Sequence, residues 1–180
     1  DFMRKTMVQD YCWGEKFAAV ELPFDTGCSM AFLLPDEGIS PEDLLRDPEA
    51  LQYLISSEEW ENVKYMTVNL SLPKFDVTSQ TDLTVGLKDL GVRDVFDTDV
   101  SDFSPLADLE DPVYLSKADH AARVFIDEDG AEGTAFTVLM MSAGAAAPPD
   151  EVVDFTLDRP FVFVIRGLDG LPLFVGVVNQ

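Results

Sequence analysis

Residues 65 to 72 alternate without a break, and that alternation limits what this part of the chain can become. Met66, Val68, Leu70 and Leu72 carry apolar side chains, while Tyr65, Thr67, Asn69 and Ser71 fall between them. A period of two puts one set on a core and the other on the opposite face of a sheet. A helix would scatter the same residues around its axis. An extended segment is therefore predicted over 61–76, with Pro73 interrupting its ladder.

Other segments read the same way. Residues 1–35 read as short strands, and 17–24 and 28–34 flank the turn Asp25-Thr-Gly27, a hairpin signal. Residues 152–157, 161–166 and 171–178 read as three more strands, the last two joined by Gly167-Leu-Asp-Gly170. A long strand is predicted over 113–127. Helices are expected over 41–59, where Ser40 precedes Pro41 and acids follow, and from about Gln80, where Leu83, Leu87 and Leu90 stand at helical spacing and Gly91 supplies a stop. The whole reads as one β-rich α+β domain with two or three helices and no internal repeat.

Thirty-four acidic residues against twelve basic ones give a net charge of −22. That field repels nucleic acid and anionic membrane, so neither is an expected partner. No stretch is long and apolar enough to span a bilayer. Two cysteines, Cys12 and Cys28, are too few for a disulfide framework, and the sequence leaves them either paired or free. The first residue is Asp rather than Met and no signal peptide follows, which marks the chain as processed or as a piece of something larger.

Between Gly133 and Pro149 there is no charged residue, although 26% of the chain is charged. A core strand would be shorter and bulkier, and an ordinary linker more polar. The run has the composition of a segment with two structural lives.

Conventional catalysis finds little to use. The one histidine, His120, lies inside the long predicted strand, where a hydrogen-bonded core residue is the ordinary outcome. Two cysteines and one histidine lack zinc-ligand spacing, no glycine-rich phosphate loop appears, and no cofactor is called for. The chain does not read as an enzyme.

Several stretches carry a family resemblance in a consistent order. They are Val20-Glu-Leu-Pro-Phe24, Phe32-Leu-Leu-Pro-Asp-Glu-Gly38, Asn69-Leu-Ser-Leu-Pro-Lys-Phe75 and Leu115-Ser-Lys-Ala-Asp-His120. Asp127-Glu-Asp-Gly-Ala-Glu-Gly-Thr-Ala-Phe-Thr137, Phe155-Thr-Leu-Asp-Arg-Pro-Phe-Val-Phe-Val-Ile165 and Leu173-Phe-Val-Gly176 follow. Together they resemble the C-terminal half of a serpin domain, in an inhibitory member of bacterial type. The resemblance implies the C-terminal portion of the serpin fold over 1–180, with a reactive-centre loop at about 128–153. It implies that a serine protease cleaves the loop, which then inserts as a strand into a central sheet and traps the acyl-enzyme. It also implies that the N-terminal half of the domain is a missing partner, that action is extracellular, and that His120 sits in a shutter region. A non-inhibitory serpin, acting as a carrier or chaperone, is the alternative.

The residues suit such a loop. Insertion would bury alternate side chains, here Ala131, Gly133, Ala135 and Thr137, all small. Glu132, Thr134 and Phe136 would face the other way. With Glu128 at its start and Gly130 for backbone freedom, this is the expected hinge. Extended, 128–144 reaches on the order of 50 Å. Counting from the hinge puts the scissile bond near Gly144-Ala145, and counting back from Phe155 puts it near Ala147-Pro148. Proline disfavours the latter, and Ala145, Ala146 and Met141 are further candidates. With no Arg or Lys in the window, an elastase-like or subtilisin-like target is expected rather than a trypsin-like one.

Overall fold

The computed structural model describes residues 2–56, 59–106, 113–127, 130–131 and 149–179. The described residues group into two compact units, one of Asp1–Val77 with Val124–Gln180, the other of Thr78–Arg123.

The first unit is organised by a seven-stranded sheet. Its strands are β1 (Phe2–Trp13), β2 (Phe17–Pro23), β3 (Ser29–Pro35), β4 (Val63–Pro73), β8 (Val152–Thr156), β9 (Phe161–Arg166) and β10 (Pro172–Val178). They lie in the order β10-β9-β3-β2-β1-β4-β8. The register pairs Met7 with Val68 and Phe32 with Phe163. All neighbours are antiparallel except β4 and β8, which run parallel. The two hairpin turns fall where expected, and Gly27 (φ 83°) and Gly170 (φ 76°) take the left-handed backbone that excludes most side chains.

Each face of the sheet meets its own core. Val20, Leu22, Met30, Phe32, Phe161 and Phe163 join Met66, Val68, Leu70 and Leu72 on one side. The alternation of 65–72 thus does what its period requires. On the other side Phe17, Ala31, Leu33, Val162 and Val164 pack with Leu44, Ala50, Tyr53 and Leu54 from two helices, α1 (Pro41–Leu44) and α2 (Pro48–Ile55). Strands β3 and β9 are covered on both faces, so they read as unbroken apolar runs.

The helix expected over 41–59 is two helices. Pro48 cannot continue a helix, and Asp47 instead caps a new one, its Oδ1 accepting from the amides of Glu49 (3.1 Å) and Ala50 (3.2 Å). Ser40 caps α1, accepting from the Asp43 amide as its position suggested. A Lys16–Asp47 ion pair ties this break to the end of the β1–β2 turn. Helix α2 ends at Ile55; residues 57 and 58 lie outside the described residues.

A three-stranded sheet has the order β5-β6-β7, with β5 spanning Phe75–Asp82, β6 Asp119–Asp127 and β7 Gly130–Ala131. Two expectations need correction. The chain stays extended to Asp82, and only Thr84–Asp89 is helical (α3); Leu83 and Leu90 are exposed, so their spacing reflects no buried stripe. The long strand begins at Asp119, not Val113. The backbone before it serves the second unit instead, the Leu115 amide donating to Val95 O (2.7 Å) and Ala118 O accepting from the Leu83 amide (2.8 Å). A short 3-10 turn at Asp94–Phe96, with Lys88 lying 5.0 Å from the centre of the Phe96 ring, completes that unit.

Candidate functional site

The segment proposed to be functional leaves from β6 and returns at β8, and both anchors are described. At the departure, β7 pairs antiparallel with the end of β6, Ile126 opposite Ala131 and Asp127 opposite Gly130. Strand β7 sits on the edge of β6 opposite β5. Among the described residues no strand pairs with 119–125 on that edge. Ile126 is fully buried and Val124 packs against the same core.

The return is fastened more firmly. Strand β8 lies parallel to β4 from Thr67 opposite Val152 to Ser71 opposite Thr156. The Thr67 amide donates to Glu151 O (3.0 Å), and its hydroxyl lies 3.4 Å from Pro149 O. Lys64 pairs with Glu151 at 2.5 Å, an exposed contact of small energetic weight. Asn69 bridges two strands, its Oδ1 accepting from Thr6 Oγ1 and its Nδ2 donating to Asp154 Oδ1, both at 2.8 Å. Thr67 and Asn69 make these ties from the face of β4 opposite Met66 and Val68.

The Phe155–Ile165 stretch explains itself physically. Phe155 and Leu157 are buried, and the Leu157 amide donates to Ser71 O (3.0 Å). Arg159 Nε donates to the Pro35 carbonyl (2.9 Å), closing the end of β3. Phe161 and Phe163 pack on Phe75 with ring centres 5.8 and 5.5 Å away. At the end of β9, Arg166 is 6% exposed; it donates to Glu21 Oε2 and to Tyr53 O, each at 2.6 Å. Burial, with nearby Cys12 and Glu21 adding to it, pushes the Tyr53 phenol far up. Burial also raises the thiol of Cys12, which hydrogen-bonds to Tyr53. Cys12 and Cys28 are both free.

Of the sequence-predicted site residues, Gly130 and Ala131 form β7, and His120 is exposed near the start of β6. Glu128, Gly133, Ala135, Thr137, Met141, Gly144, Ala145 and Ala146 lie outside the described residues. Val152 and Val153, placed at the end of the expected loop, are already in β8.

The whole chain, residues 1–180, matches the family model described as Serpin (serine protease inhibitor). It is 32% identical to the leukocyte elastase inhibitor of Homo sapiens over 97% of this chain and 46% of that protein. It is 35% identical to plasminogen activator inhibitor 1 of Sus scrofa over 93% of this chain and 40% of that protein. The solved structure of a serpin from the trematode Schistosoma haematobium superposes with a TM-score of 0.77 at 29% identity, covering 100% of this chain and 46% of that one. The chain therefore spans about half the length of the relatives it matches. With the strand-rich mixed-sheet fold and the ordered motifs in agreement, the chain belongs to the serpin family, with the fold of the C-terminal part of its domain.

Proposed function

We propose that this chain is the loop-bearing half of a serine protease inhibitor that acts as a suicide substrate. A protease cleaves within 138–147, and the segment from Gly130 onward then zips along the open edge of β6. The observation that carries this reading is the β6–β7 register. Continuing it pairs Gly133 with Val124, Ala135 with Ala122 and Thr137 with His120. Directly opposed residues share a face, so Ala131 and Gly133 would fall beside the buried Ile126 and the core-packed Val124. Small side chains there avoid overpacking, and the one acid of the hinge after Gly130, Glu132, would face the other way.

In this reading the role is inhibition, not turnover, and the target is elastase-like or subtilisin-like because the window offers small residues and no base. Extracellular action rests on the family resemblance alone. The edge of β6 beyond β7 belongs to the partner strand of the missing half. Residues 1–180 alone are thus expected to be cleaved without trapping the protease, and their open edge to favour association.

The test uses the longer protein, incubated with an elastase and with trypsin. A complex with elastase that survives denaturing electrophoresis is expected, together with a large gain in thermal stability after loop cleavage. Cleavage with no complex and no stability gain refutes the reading, and a complex with trypsin alone refutes the specificity.

A further inference from the structure

The core-facing side of β1 contains a charge. Lys5 lies between Met3 and Met7 on that side, opposite Leu70, just as Met3 stands opposite Leu72. Leu70, Leu72 and Leu22 of β2 are all buried there. A lysine beside leucines ordinarily takes its head past them to water or to an acid. With 34 acids in the chain, an acid is the expected neighbour. Yet among the described residues neither Lys5 nor the adjacent Arg4 forms an ion pair.

The register explains the space around them. Strand β1 pairs with β4 from Phe2 to Cys12, but with β2 only from Tyr11 to Trp13. Toward Phe2 the strand therefore parts from β2. A cavity of about 250 Å³ lies there, floored by Met3, Leu22, Leu70 and Leu72 and rimmed by Arg4, Lys5 and Asp127. Asp127 ends β6, paired with Gly130 where the proposed hinge departs. Two cations against one acid leave the rim net positive, in a chain whose net charge is −22. Distant charges are screened beyond about 8 Å at physiological salt, so the rim's own balance decides what binds there.

The apolar floor sets the other end of the ligand. A water-sized group takes about 30 Å³, so 250 Å³ admits about eight of them. An unbranched alkyl chain of that size, ending in a carboxylate, lays its methylenes on the leucines and its oxygens on two cationic donors. An alkyl amine would meet Lys5 and Arg4 as like charges, and an alcohol would forgo the charge-assisted bonds. We propose that this cavity is a binding site for a medium-chain fatty acid, its tail on Leu22, Leu70 and Leu72 and its carboxylate on Lys5 and Arg4. The site does not depend on the suicide-substrate reading.

The probe is sodium octanoate, kept below its micellar range and titrated into residues 1–180 by calorimetry, with octan-1-ol and acetate alongside. Octanoate is expected to bind about fivefold or more tighter than octan-1-ol, and acetate not measurably. Saturating octanoate is expected to raise Tm, because the folded chain holds the site and the unfolded chain does not. Methyl-labelled NMR is expected to show shifts at Leu22, Leu70 and Leu72 but not at Leu44 and Leu54, which pack on the other face of the sheet. Lys5→Met with Arg4→Gln removes both charges, and octanoate is expected to fall to the affinity of octan-1-ol. Thermal unfolding checks that this variant is folded. Independently of any variant, about 1 M NaCl, which screens charges within about 3 Å, is expected to weaken octanoate several-fold and leave octan-1-ol unweakened. Equal affinity of octanoate and octan-1-ol for the parent chain overturns the proposal. So does a folded double variant that binds octanoate as the parent does, or shifts at Leu44 and Leu54 as large as those at the three leucines. No saturable octanoate binding overturns the site and leaves the inhibitor reading standing.

Discussion

Gly176→Ala isolates one feature on which the seven-stranded sheet depends. Gly176 on β10 stands opposite Phe163 on β9. A Cβ added there would lie 2.4 Å from Phe163 Cζ and 2.6 Å from Cε1. Carbon atoms sit comfortably at about 3.5–4.0 Å, so ring and strand must part by roughly 1 Å or more. The ring has little room to retreat: Phe163 is 1% exposed, and Phe75 lies 5.5 Å behind it, centre to centre. Gly176 does not have a left-handed φ, so the cost is steric contact rather than backbone strain. Overpacking of this kind costs about 1–3 kcal/mol, or roughly 2–12 °C in Tm for a chain of this length. Urea and thermal unfolding followed by circular dichroism measure it.

A double-mutant cycle identifies the cause. Leucine at position 163 has neither of the two atoms that the new methyl would strike. Phe163→Leu destabilises alone, but the pair is expected to be less destabilised than the sum of the singles, by about 0.5–3 kcal/mol. Strict additivity, or a Gly176→Ala chain within about 0.5 kcal/mol of the parent, refutes the close approach of β9 and β10.

Other expectations follow from the same structure. The hydrogen bond from Lys16, then that from the Ala50 amide, holds the Asp47 carboxyl below the ordinary range, so its contribution is whole above the unfolded value of about 4 and is lost as pH falls through the lowered pKa; Asp47→Asn should flatten that acid limb in pH-dependent melts. Asp47→Ala also removes the α2 cap, lowering Tm by a few degrees. Burial raises the Tyr53 phenol, so alkaline titration at 295 nm should leave one tyrosine silent until the chain unfolds. The Cys12 thiol, raised by burial, should react with an aromatic disulfide more slowly in the folded chain than in urea at pH 8. In the longer protein, Ala135→Glu should abolish the denaturation-resistant complex while leaving loop cleavage intact, by desolvating a charge along the inserted strand; a complex formed at the parent yield would refute the face assigned to that residue.

The sequence spoke clearly where one face of a strand is buried and the other is not, as along Met66–Leu72. It spoke less clearly where register positions mix chemistries. On β1, Lys5 and Gln9 share a face with Met3, Met7 and Tyr11, so a twelve-residue strand showed no clean alternation. After Phe75, Val77 is the only bulky apolar residue of β5, and the helically spaced leucines that follow it suggested the wrong period. The break at Asp47–Pro48 is written in the residues themselves, since Pro48 cannot continue a helix and Asp47 is a natural cap for a new one. At the candidate site, the small alternate residues of the hinge stood out in the composition. The parallel pairing that holds Pro149 and Glu151 to Thr67 did not, because a contact between segments more than 80 residues apart leaves no mark at either alone.

In the suicide-substrate mechanism proposed above, the pairing described at the two ends of the loop would give cleavage a direction. On the β8 side five consecutive positions pair with β4, Phe155 and Leu157 are buried, and Asn69 and Lys64 add side-chain ties. On the β6 side two positions pair among the described residues, and no described strand pairs with 119–125 on that edge. An intact loop fixed at β8 limits how far the β7 side can travel along β6. Cutting it removes that limit from the β7 side alone, since the β8 ladder does not depend on the link. Each further residue zipped along β6 then gains roughly one backbone hydrogen bond, a net gain of about 0.5–1.5 kcal/mol. Small residues add little side-chain ordering entropy against that gain. On this proposal peptide-bond cleavage would release the end that has an edge to join and leave the other in place, and an acylated protease would travel with the end that moves.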